Sequence, residues 1–198
     1  MDFAQSDNDV KRIIKDWINT RCNNIHTALP GKIISYEPGK NRAQVQPSGK
    51  FKTQDNRDLD YPIIHNVPLI FPMTMDRQAG VTLPVKPGDG VMLIFSETQN
   101  EDFLNGKDNL DPRHHSLNDC YGIPGIYADA APSENSHPDD VCIFHSGALL
   151  WLNGREFVGE NVGGTNFRFS DGDLVVNGIS VVHHTHPGCQ GGSTGQPT

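Results

Sequence analysis

No apolar run in this chain is long enough to cross a bilayer. The longest, such as "VMLIF" at 91–95, is far short of the roughly 20 residues a spanning helix needs. Contact with a membrane by hydrophobic insertion is therefore not expected. The opening "MDFAQSDNDV" is acidic and polar, unlike a secretory signal. Basic residues are also scarce, 16 against 24 acidic for a net charge of -8, and they form no cluster along the chain. Nucleic acid is excluded as an expected partner, because binding a phosphate backbone takes clustered Lys and Arg to displace counterions. The cysteines are Cys22, Cys120, Cys142 and Cys189, widely spread and without a CxxC pair. That spacing argues against a disulfide framework and for free thiols in a protein made in a reducing cytoplasm. After Asp173 there is no Lys, Arg, Asp or Glu through to Thr198.

What is present is turn chemistry. With 20 Gly, 14 Pro and 35% apolar residues, the balance suits turn-dense β structure better than a helical bundle. An exception comes first, at residues 1–30. Val10, Ile13, Ile14, Trp17, Ile18 and Ile25 recur at three- and four-residue steps, predicting one amphipathic helix over 6–27. Ser6 and Asp9 read as a capping box, and "LPG" at 29–31 as the stop. Its stripe needs a partner, either the following domain or a symmetry mate.

Residues 31–127 read as a barrel with its loops. "KIISY" and "RAQVQ" flank the turn "EPGKN", "YPIIHNVPLIF" supplies another strand, and "VTLPV" and "VMLIF" flank "KPGDG". Short strands closed by tight turns favour an OB-type barrel. From 98 the chain becomes polar and broken, with His114 and His115 read as solvated loop, and 128–140 is a linker. Residues 141–186 then give short strands punctuated by Asn-Gly and Asp-Gly, as a β-helix requires. Some 45 residues hold too few rungs for one chain, so several chains must share the work, and three-fold symmetry closes a prism. Residues 187–198 form a Gly-rich tail.

The chemistry-bearing stretch is "NGISVVHHTHPGC" at 177–189. In an extended strand, residues two apart face the same side, which places His184 and His186 together and sends His183 and Thr185 the other way. Three copies of the pair would offer six imidazole nitrogens, an octahedral set suited to Fe, Ni, Cu or Zn. Enzymatic readings of the same string lack their other parts. A JAMM-type metalloprotease needs a Ser and an Asp downstream at fixed spacing, whereas Ser193 falls one position early and no Asp follows. A cupin needs a Glu shortly after its HxH and a further histidine. A zinc site of His184, His186 and Cys189 lacks an obvious fourth ligand. Two other classes stay open: a metal-dependent hydrolase on a small β scaffold, and an adhesive or carbohydrate-binding structural module.

The order of parts, with "HSLNDCYGIPG" before a terminal "DGDLVVNGISVVHHTHPG", resembles the central spike of contractile-tailed phage baseplates, the baseplate assembly protein V or membrane-puncturing family. The resemblance implies a mainly β homotrimer: an N-terminal helix, an OB-type collar attached to the baseplate hub and tail tube proteins, and an intertwined β-helical needle. It implies one iron ion held near the tip by His184 and His186 of each chain, with His183 facing outward. It also implies a non-enzymatic, mechanical role in a virion tail baseplate, piercing the host outer membrane on contraction. The β-helical stretch is short, and twelve residues follow the histidines, so the tail must either fold back or cap the point itself.

Overall fold

The computed structural model describes residues 3–23, 25–53, 55, 57–108, 111–126, 133, 136–188 and 191–196. The chain divides into two compact units, Met1–Ala131 and Pro132–Thr198.

The first unit begins with α1, Phe3–Asn23. The helix starts before Ser6, so Ser6 and Asp9 lie inside it and not at its cap; the Ser6 side chain is outside the described residues. "LPG" does not stop it either. The helix ends at Asn23, just before Ile25 N–H donates to the Cys22 carbonyl at 3.2 Å, and Pro30 and Gly31 lie within the next strand. The apolar stripe is open: Val10, Ile13, Ile14, Trp17 and Ile18 are 48–63% exposed.

Strands β1 (Ala28–Glu37), β2 (Arg42–Pro47), β3 (Lys50–Lys52), β4 (Asp58–Asp60) and β5 (Ile64–Pro68) follow. Next come β6 (Met73–Thr74), β7 (Ala79–Gly80), β8 (Gly90–Phe95), the single-turn α2 (Glu101–Leu104) and β9 (Cys120–Ile126). Five of the strands curl into a half-barrel in the order β5-β2-β1-β8-β9, while β3-β4 and β6-β7 are small separate hairpins. The two edges approach each other at a parallel bridge between Leu69 and Gly122, with Ile70 N–H donating to the Gly122 carbonyl at 2.8 Å. Residues two apart turn inward from each strand: Ala43 and Val45 from β2, Val91, Leu93 and Phe95 from β8, with Ile33, Ile64, Val67 and Cys120 completing the core.

Two strand assignments need correction. "VTLPV" forms no strand; Pro84 lacks a donor, and Gly88 N–H and the Asp89 carbonyl instead bond Ile33 of β1. β8 thus pairs with β1 on one side and β9 on the other, and not with "VTLPV". Conversely, "CYGIPGI" is an edge strand although its glycines and proline read as a loop. Gly122 is needed there, because a Cβ would meet the Leu69 and Val91 side chains at 2.7 and 2.9 Å.

The second unit is a six-stranded antiparallel meander: β10 (Val141–His145), β11 (Ala148–Leu152), β12 (Phe157–Glu160), β13 (Asn166–Ser170), β14 (Asp173–Val176) and β15 (Ile179–Ser180). Each strand pairs with the next, so the described chain makes one antiparallel layer and not a β-helical coil by itself. Three corners are two-residue turns with both central residues at positive φ: Ser146-Gly147, Asp171-Gly172 and Asn177-Gly178. That geometry matches the right-handed twist of the strands it joins.

Register decides the faces. Paired residues share a side, giving one column of Val141, Leu152, Phe157, Phe169 and Leu174. Beside it runs a second column of Ile143, Leu150, Gly159, Phe167, Val176 and Ile179. The Phe167 ring occupies the space a Cβ on Gly159 would need and packs edge-on against Phe157 and Phe169 at 5.5 and 6.0 Å. Both columns are apolar, yet Val141, Ile143, Leu152, Phe169, Val176 and Ile179 are 38–63% exposed.

Leu93→Ala should cost the half-barrel about 2–5 kcal/mol, as expected for a fully buried leucine, read as a lowered denaturation midpoint with unchanged slope. Unchanged stability would mean that Leu93 is not a core residue.

Candidate metal centre

Built from its backbone upward, the histidine segment is held by Asp173 at the start of β14. The Asp173 carboxylate accepts the Val182 N–H at 3.2 Å and the Ser180 hydroxyl. Ser180 Oγ in turn accepts the His183 N–H at 2.7 Å, and Val181 N–H reaches the Leu174 carbonyl at 2.8 Å. These bonds curl residues 181–183 into a turn, so the strand expected through "ISVVHHTH" ends at Ser180. The Ser180 hydrogen bond is the main cause of an Asp173 carboxyl held below its ordinary value. Backbone N–H groups and the nearby His183 act in the same direction, against a smaller desolvation effect.

His184 and His186 nevertheless meet. Their ring centres are 5.1 Å apart with planes at 90°. Strand parity is not the reason; separate hydrogen bonds set each histidine. His184 Nδ1 lies 3.1 Å from the Val181 carbonyl, so Nδ1 carries the proton and Nε2 presents its lone pair. His186 is gripped through its backbone: its N–H donates to Thr194 Oγ1 at 2.8 Å, and Thr194 N–H donates back to the His186 carbonyl at 2.9 Å. Pro187 bridges Ser193, and Gly191 N–H bonds the Gly188 carbonyl at 3.2 Å. The tail therefore doubles back immediately after the pair. Thr194 carries that reversal, and its hydroxyl spacing eight residues from His186 gave no readable signal in the sequence.

The donor set fits a first-row metal in part. Two imidazoles bound at right angles at about 2.1 Å would put their ring centres roughly 4.5 Å apart, close to the observed separation. Among the described residues no three His, Cys, Asp or Glu side chains gather as a ligand set, so one chain offers a pair. Cys189, the third ligand of the alternative zinc site, lies outside the described residues. His114 and His115 belong to the first unit. His114 Nδ1 lies 3.1 Å from the Glu97 carbonyl, and His114 forms a bridge with Thr98. His115 is half-buried, with its Nδ1 buried and without a hydrogen-bond partner.

An N-terminal helix, a curled five-stranded half-barrel and a one-layer meander define a mainly β protein. Residues 29–125 match the family model described as phage protein Gp138 N-terminal domain. The matched segment runs from the start of β1 almost to the end of β9, just under half of the chain. Over these residues the chain is similar to that phage domain family. The search of curated proteins found no match.

Asp173 supplies a pH test. A carboxyl whose folded pKa is lowered adds stability above its unfolded value, about 3.9, and loses it as pH falls through the lower folded value. Melting temperature followed downward from about pH 5 should fall less steeply for Asp173→Asn than for the wild type. Identical acid limbs would remove Asp173 from its holding role.

Proposed function

We propose that this protein is the membrane-puncturing central spike of a contractile phage tail baseplate, working mechanically as a homotrimer. The observation that carries the reading is the apolar face of the meander. A sheet needs a second layer to bury such a face, and the described second unit has only one. Six half-exposed side chains on it would each gain about 1 kcal/mol on full burial, on the order of 6 kcal/mol per chain. Three such sheets, turned inward around an axis, form a prism with a phenylalanine-lined core that covers these side chains. The open stripe of α1 is a second surface that association of copies can cover.

In this trimer the half-barrels are OB-type collars seated on the hub and tube, and the intertwined meanders are the needle. His184 and His186 of the three chains hold one iron ion, with zinc or another first-row metal as the alternative. The ion would link the chains at the end that meets the load and stabilise the assembled state by binding it alone. The residues after Asp173 carry no formal charge except on their histidines, which lowers the cost of entering a lipid headgroup layer. The role needs stiffness and no bond cleavage, so the protein acts without catalysis in the virion tail baseplate.

Light scattering should give three times the chain mass, and elemental analysis one metal per three chains. A monomer, or one metal in each chain, would overturn the reading. Ile143→Asp should abolish the trimer and leave the half-barrel folded by circular dichroism, while Glu160→Gln on the other face should leave the mass unchanged. Either His184→Ala or His186→Ala should remove the metal and lower the melting temperature of the trimer. His183→Ala should do neither; loss of metal in that variant would reassign the ligands.

A further inference from the structure

Away from the histidines, the first unit holds a polar cavity of about 740 Å³, well within the range of small-ligand sites. Its walls come from segments far apart in sequence: the β1–β2 turn, β2, β5, the β6–β7 turn and the stretch between β8 and β9. In a chain of net charge -8, it gathers Lys40, Arg42, Arg77 and Arg113 against two carboxylates, Glu101 and Asp119.

Backbone irregularities converge on the same place. Ala43 pairs with Val67 and Val45 with Ile64, so two residues of β5, His65 and Asn66, oppose the single Gln44. This is a β-bulge, a device that re-aims side chains, and both His65 and Asn66 line the cavity. Asn66 and Arg77 there both have positive φ, 59° and 68°.

The floor is built and buried. Asn100 is 6% and Asp119 3% exposed. Asn100 Nδ2 donates to the Cys120 carbonyl at 3.2 Å, and its N–H to Asp119 Oδ1 at 3.3 Å. Arg113 holds both carboxylate oxygens, its Nε 2.9 Å from Asp119 Oδ2 and its Nη2 donating to Oδ1 at 3.3 Å. Oδ2 keeps lone-pair capacity for a further donor brought by a ligand. The cations at the rim are only loosely engaged. Lys40 pairs with Glu37 at 2.9 Å and Arg77 with Asp76 at 3.6 Å, both highly exposed and therefore weak. Arg42 donates to the Asn41 carbonyl at 3.5 Å, a long contact.

From this arrangement we infer that the half-barrel carries a binding site for a phosphorylated saccharide. The rim cations take the phosphate, forming charge-assisted hydrogen bonds. The buried Asp119 oxygen and the amides of Asn66, Asn105 and Asn118 take sugar hydroxyls, which both donate and accept. Single-stranded nucleic acid is the poorer fit, because His65 is the only ring among the described lining residues and base binding rests on aromatic stacking. A flat protein partner fits poorly with a concave site of small-ligand size. This inference does not depend on the trimer or its metal.

The full chain is titrated by calorimetry with mannose 6-phosphate, mannose and inorganic phosphate at constant ionic strength. Mannose 6-phosphate should bind at least about tenfold more tightly than either fragment, since each supplies only half of the contacts. Arg42→Gln and Arg77→Gln should each weaken it about tenfold or more, while Arg155→Gln in the second unit leaves it unchanged. Melting curves of the variants establish that they remain folded. Inorganic phosphate binding as tightly as the sugar phosphate would reduce the site to an anion hole and overturn the saccharide assignment. Absence of binding at millimolar ligand would overturn it too, as would an oligonucleotide or acidic peptide binding more tightly through the same arginines. The oligomeric mass, measured on the same sample, reports separately on the spike reading.

Discussion

The constraint on which the second unit depends is a sheet with one largely apolar face and no second layer. Its hairpins are locally well made, with Ser146-Gly147, Asp171-Gly172 and Asn177-Gly178 each in the paired positive-φ geometry that a right-twisted hairpin favours. Local chemistry thus specifies the meander, while its stability needs something to cover Ile143, Phe169 and Ile179. The half-barrel differs, since it contains all of the buried apolar residues found in the described chain and has a core of its own.

The histidine pair is an outgrowth of that sheet. Asp173 lies at the start of β14 and holds the turn at 181–183, and Thr194 holds the other side of His186. The two imidazoles are thereby set by hydrogen bonds to the neighbouring backbone and not by the strand they were expected to sit on. Ser193 and Thr194 return alongside the pair, bridging Pro187 and bonding both the N–H and the carbonyl of His186.

Much of the architecture was legible beforehand. The helix, the β1–β2 hairpin, β5, β8 and the short Gly-cornered strands after Val141 all follow from apolar periodicity and turn residues. The failures have physical causes. Pro30 and Gly31 read as a helix stop but occur inside β1, because Gly31 sits where a Cβ would meet Val45 at 2.8 Å. "CYGIPGI" read as a loop, because the close approach that demands Gly122 comes from Leu69, more than fifty residues earlier. The pairing of His184 with His186 was anticipated on a parity argument whose premise, an extended strand, does not hold. Proximity survived because two independent hydrogen-bond systems replaced it.

By itself the sequence determined the local code: which residues alternate inward, where two-residue corners fall, and that the last part of the chain is free of formal charge except on its histidines. These are properties of spacing, carried by backbone geometry over a few residues. Only the tertiary structure decided what depends on distant segments meeting. It brought Lys40, Arg42, Arg77 and Arg113 around one cavity although no basic cluster exists along the chain. It also assembled alternate residues of six strands into a single apolar face. Register and chain reversal create both features, and neither is set by the composition of any one segment.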